Sequence, residues 1–184
     1  MKRNNINIII AVSLIVLAVI ARIVNSGMHL HNYVPIAAIG LFSGSVIKDR
    51  RLLAFFVPLA GQFIADLYFQ LFTNTPGFYP GEFFNYAAIG AAAGLGMLMK
   101  QPKPASIVAY LFGASLTFFI ISNFGFFLGG WNGYSFAGLG KTYIDAIPFF
   151  KNTLIGDMLG GIAMFGGYFI TQMLVEKNMQ KAKA

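Results

Sequence analysis

The chain has 184 residues, of which 57% are hydrophobic, 16% aromatic and only 10% charged, and its mean hydropathy is +0.69. A soluble domain needs roughly a quarter of its residues charged, so this composition predicts an integral membrane protein. With no cysteine, disulfides, thiolate metal sites and a cysteine nucleophile are excluded; the net charge of +7 sits in short clusters between apolar segments, which argues against a nucleic-acid partner.

Six apolar segments follow in chain order, at 6–24, 35–47, 52–72, 83–99, 105–128 and 149–175, against about 20 residues for a spanning helix. The opening MKRNN and its apolar run resemble a signal peptide with a cut after Ala21. Such a cut would leave Arg22 at the new terminus, and a retained first helix is the better reading. The second segment is short, and crosses only if its helix starts earlier in HNYVP, bends, or meets a locally thinned bilayer. The third, containing GQFIADLYFQ, carries Asp66 inside an apolar run, and the fourth contains IGAAAGLG, almost free of side chains. The sixth is expected to start at Pro148.

The connections predict the topology. Lys2 and Arg3, then Lys48, Arg50 and Arg51, then Lys100 and Lys103, then Lys177, Lys181 and Lys183 share one side if the six helices alternate; the other side holds Lys141 and Lys151. The excess of positive charge on cytoplasmic loops then places both termini inside and turns loops 25–34, 73–81 and 129–148 outward. The expected fold is a single all-α domain over 1–184, with six transmembrane helices, N-in and C-in. The pairs Gly40 and Gly44, Gly90 and Gly94, and Gly156 and Gly160 put small residues one turn apart, where helices approach closely, either within one bundle or against a partner.

A charge at the centre of a spanning helix costs about 2.5–3.5 kcal/mol, so Arg22, Asp66 and Asp157 should face inward. At about 1.5 Å per residue, Arg22 and Asp66 lie about 24 and 21 Å from the inner ends of their helices, and Asp157 about 12 Å in from the outer end of its own. Asn123 falls near the outer end of the fifth helix and Glu82 opens the fourth. These groups converge on the outer half of the bundle. Arg22 is expected to pair with Asp66 or Asp157, or these side chains line an outward-opening cavity.

The stretch FFLGGWNGYSFAGLGKTYIDAIPFF, 126–150, carries Trp131 and Tyr143, and FTNTPGFYPGE carries Tyr79. Both read as aromatic outer loops, either lids or an interfacial belt. No GxSxG, HExxH or P-loop occurs, and His29 with His31 is too small a set for a metal site, so neither catalysis nor a cofactor is expected. Asp66 and Asp157 leave open an acid–base alternative, a small membrane enzyme acting on lipid-linked substrates, and the small-residue faces leave open a scaffold subunit.

HNYVPIAAIGLFSG, PLAGQFIADLYF, SNFGFF and AGLGKTYIDAIPFFKNTLIGDML together resemble an uncharacterised bacterial family of six-helix membrane proteins labelled as transport proteins. That family is similar in size and topology to the substrate-binding S components of energy-coupling factor (ECF) vitamin transporters. The resemblance implies a bacterial inner-membrane protein and a small vitamin or cofactor-precursor ligand held near the outer face. It also implies a coupling membrane subunit with two ATPases, docked through small residues of the first helix, here Ala11, Ala18 and Ala21. On this reading Arg22 holds an anionic group, Asp66 and Asp157 accept from ligand donors, and Asn123 orients the ligand. Trp131, Tyr79 and Tyr143 cover it, with Asn32 and Glu82 at the rim.

Overall fold

The computed structural model describes residues 3–28, 32–47 and 50–181, so His29, His31, Lys2, Lys48 and Lys183 lie outside the described residues. It is all-helical: α1 (Arg3–Gly27), α2 (Ile36–Val46), α3 (Arg51–Phe72), α4 (Glu82–Leu98), α5 (Pro104–Leu128) and α6 (Phe136–Lys181). Four of them, α1, α3, α5 and α6, are long and apolar enough to cross a membrane. Apolar side chains such as Ile8, Val12, Val16, Ile20 and Val24 of α1 stay exposed, as lipid contact requires.

The short α2 is the axis of the bundle. Every residue from Ala37 to Ser45 is buried, and α2 touches all five other helices. A helix that is apolar all round is stable only when enclosed in this way. It does not reach back into HNYVP: Asn32 turns with φ 64° and the helix begins at Ile36. The second segment is therefore an enclosed helix of 11 residues, about 16 Å long.

Small residues bring α2 and α4 into backbone contact. A methyl group at Gly44 would overlap the Ala93 carbonyl, and one at Gly96 the Leu41 carbonyl. Gly156 and Gly160 of α6 receive Tyr33 and Pro35 in the same way, whereas nothing lies near Gly94. Ala11 and Ala18 of α1 are buried, Ala18 against Gly61 of α3. Pro58 lies inside α3 and, lacking an N–H, leaves the Ala54 carbonyl unpaired within the helix. Ser43 Oγ of α2 donates to that carbonyl at 2.8 Å, so the acceptor that the proline frees is taken up by the neighbouring helix.

One expectation is corrected at the last connection. The outer loop expected over 129–148 is helical from Phe136, and α6 continues through Pro148 for 46 residues instead of starting there. Ser135 Oγ accepts from the Gly138 N–H at 3.0 Å, capping the new start, and Lys141 pairs with Asp145 one turn on. These local bonds offset the glycines that made the stretch read as a loop. Only 129–135 remains a turn, with Gly130 and Gly133 both at φ 78°.

Candidate functional site

Two buried acids end up in different places for different reasons. Asp66 sits on α3 facing α1 and α4, is fully buried, and its carboxylate bonds to the Arg22 guanidinium of α1. The pairing answers why an aspartate stands in GQFIADLYFQ: it is the counter-ion of an arginine in the first helix. Arg22 Nη1 also reaches the Gln62 carbonyl at 3.4 Å, and its guanidinium lies over the Phe69 ring at 5.4 Å.

The acid is held from two further sides. Tyr86 of α4 donates its hydroxyl to Asp66 Oδ2 at 2.6 Å. Gln62, one turn before Asp66, places its Nε2 at 3.1 Å from Asp66 Oδ2 and 3.0 Å from Glu82 Oε1. Asn85 Nδ2 then joins Glu82 Oε2 at 3.1 Å to the Tyr79 hydroxyl at 2.6 Å. Burial of that hydroxyl end, with the Glu82 carboxylate next to it, raises the Tyr79 phenol above its ordinary pKa, although 47% of the residue remains exposed. Gln62 Oε1 is buried with no hydrogen-bond partner among the described residues.

A cavity of about 670 Å³ opens above this network. All three connections expected to face outward contribute to it: Asn25 and Asn32, then Tyr79, then Trp131. Arg22, Gln62 and Asn85 line it on one side, and Phe118, Phe119, Asn123 and Phe150 on the other. Arg22 contributes its one bonded nitrogen, Nη1, to the network; Nε and Nη2 have no hydrogen-bond partner among the described residues. The charged groups in its lining are Arg22 and Asp145, the latter paired with Lys141, and with the aromatic wall the free part of the guanidinium suits a small, partly apolar solute with an anionic group.

Asp157 lies elsewhere. It is fully buried on α6, its Oδ1 accepts from the Ala38 N–H at 2.9 Å, and its Oδ2 from Ser115 Oγ of α5 at 2.7 Å. Because α2 opens with Pro35 and has no side-chain cap of its own, a carboxylate from another helix closes its N-terminus.

Of the residues expected at the site, Arg22, Asn32, Tyr79, Asn123 and Trp131 line the cavity, and Asp66 and Glu82 lie behind its Arg22–Gln62 wall. Asp157 is not among the lining residues. Nor is Tyr143, whose hydroxyl donates to the Ile120 carbonyl at 2.8 Å and whose ring packs behind Phe119. Trp131 stacks on Phe126, with 74% of its surface exposed at the mouth. Sequence reasoning missed Gln62, Asn85 and Tyr86. Helical spacing was the available signal, since Gln62 precedes Asp66 by four residues and Asn85 and Tyr86 follow Glu82 by three and four. Among the described residues no three His, Cys, Asp or Glu side chains gather as a metal site.

A family model described as "Family of unknown function (DUF6580)" matches residues 2–180, and the chain belongs to that family. No curated protein and no solved structure matches it.

Proposed function

We propose that this member of the family is the solute-binding component of a membrane transport system, taking up a small vitamin or cofactor precursor that carries an anionic group. The observation that supports it is the unpaired side of the Arg22 guanidinium in the wall of a 670 Å³ cavity. The charge pattern turns the mouth of that cavity outward, the side from which an uptake protein of the inner membrane, with both termini cytoplasmic, loads. On this reading the four candidate spans and α4 cross the membrane, and the short, enclosed α2 completes six crossings only where the bilayer is locally thin. The chain carries no P-loop, so the energy comes from a separate coupling subunit with ATPases or from an ion gradient. Since Ala11 and Ala18 pack inward, a coupling subunit would meet the apolar outer face of α1 instead.

Native mass spectrometry of the detergent-purified chain tests this, with Ser122→Phe alongside to fill the cavity from α5. A discrete small-molecule mass on the wild type that the variant loses is the expected result. A wild type that carries none, and whose melting temperature is unmoved by a panel of vitamins and cofactor precursors, would reject the reading.

A further inference from the structure

The two sides of the cavity differ in what they can still bond. It separates α1, which packs on α2 and α3, from α5 and α6, which α1 does not touch among the described residues. On the α1 side two lining side chains keep N–H groups free. Arg22 uses only Nη1, and Asn25 accepts from the Tyr33 N–H at 3.2 Å through its Oδ1, which leaves its amide NH2 open.

The α5 and α6 side has the opposite character. Ser122 Oγ donates to the Phe118 carbonyl at 2.7 Å, Thr153 Oγ1 to the Phe149 carbonyl at 3.1 Å, and Asn123 Nδ2 to the Phe119 carbonyl at 2.7 Å, in each case within the residue's own helix. A hydroxyl has one proton and two lone pairs, so Ser122 and Thr153 keep only acceptor capacity, and Asn123 presents a free amide oxygen. Asp145 adds a carboxylate on this side, while its partner Lys141 is not among the lining residues. The apolar part of the same wall includes Phe119 and Phe150, with ring centroids 4.7 Å apart.

We infer that the solute is amphoteric: a flat, ring-containing acid whose anionic group meets Arg22 and Asn25, and whose far end carries N–H donors for the oxygens of Ser122, Asn123 and Thr153. The inference narrows the solute-binding reading and rests on it. A far end with acceptors alone, such as a second carboxylate or an ether, would set lone pairs against lone pairs and against the Asp145 carboxylate. A purely apolar far end would take water from three oxygens and give nothing back. A site of this kind rejects an isostere that lacks the donor, because the protein's own polar groups are then left unpaired.

Calorimetry on the full-length chain in detergent tests this, with benzoate as the parent probe and matched pairs that differ only at the far end. The pairs are para-aminobenzoate against para-methylbenzoate and, for a longer reach, the amino and methyl forms of a biphenyl carboxylate. Amino and methyl groups are close in size and the methyl is the more apolar, so hydrophobic burial alone favours the methyl form. The expected result is an amino form that binds about ten-fold tighter in at least one pair, with the ratio falling toward one in Ser122→Ala, Asn123→Leu or Thr153→Val. Both hydroxyls donate only to carbonyls of their own helices, so their removal strands no donor elsewhere in the bundle. Methyl forms that bind as tightly as the amino forms in both pairs overturn the inference and leave the solute-binding reading standing, as does an amino preference that survives all three substitutions. If neither benzoate nor any of the four derivatives binds, the inference falls and the result counts against the solute-binding reading as well.

Discussion

Truncating Asp157 to alanine should uncap a helix that the residue does not belong to. The substitution removes the acceptor of the Ala38 N–H, at 2.9 Å, and of the neighbouring Ala37 N–H, at the start of an 11-residue helix with no cap of its own. A buried donor left without a partner costs about 1–3 kcal/mol, and two of them together with the small void amount to roughly 3–5 kcal/mol. For a chain of this size that corresponds to a fall in melting temperature on the order of 10 °C. Asp157→Asn should behave differently. Its amide oxygen still accepts from α2, and its amide N–H can donate to Ser115 Oγ, whose own proton is free for the Leu111 carbonyl at 3.0 Å. The expected cost is below about 1 kcal/mol, with any solute bound in the cavity retained. Differential scanning fluorimetry in detergent compares the two. If the asparagine variant melts as low as the alanine variant, the negative charge rather than the acceptor geometry is what α2 needs, and the capping argument fails.

Arg22→Gln should cost roughly 3–5 kcal/mol by stranding the Asp66 charge, and adding Asp66→Asn should recover most of it; additive losses in a thermal double-mutant cycle would mean that the pair is not coupled. Gly77→Ala should displace the connection between α3 and α4, because its methyl group would overlap the Asp66 carbonyl, and with it Tyr79 and the cavity mouth. Protease cleavage within 73–81, faster in the variant than in the wild type, would report the displacement. Gly44→Ala should prevent close packing of α2 on α4, whereas Gly94→Ala, with open space around it, should leave the unfolding free energy within about 0.5 kcal/mol of wild type. Equal losses at the two glycines would contradict the packing described for α2 and α4.

How much of this was legible depended on the size of the energetic penalty. Arg22, Asp66 and Asp157 could be picked out because a charge in an apolar helix is expensive and must be answered by a partner. Which partner each takes could not be read, since uniformly apolar segments do not fix a helix's rotation, and only the structure assigns Asp66 to Arg22 and Asp157 to the end of α2. Gln62, Asn85 and Tyr86 raised no alarm, being neutral groups that a membrane helix tolerates singly. The helical segments were legible from length and apolarity. The start of α6 was not, because Gly138, Gly140 and Pro148 weigh toward a loop, while Ser135 and the Lys141–Asp145 pair, which reverse that weight, each look minor in a sequence.

The contrast between the two buried aspartates bears on function as well as on folding. Asp157 meets donors fixed in the backbone of α2 and in Ser115, whose positions do not depend on what the cavity holds. Asp66 instead shares Arg22 with the cavity, and an anion there would compete for the same guanidinium. Its second support, Gln62, is shared with Glu82, so any change in Arg22's allegiance passes through one amide to the other acid and on through Asn85 to Tyr79 at the mouth. That chain of bonds links the floor of the cavity to one of its covering connections. A solute able to compete for Arg22 would therefore perturb the anchoring of 73–81 without touching it. The connection's protection from protease, with and without benzoate, is the place to look for that effect.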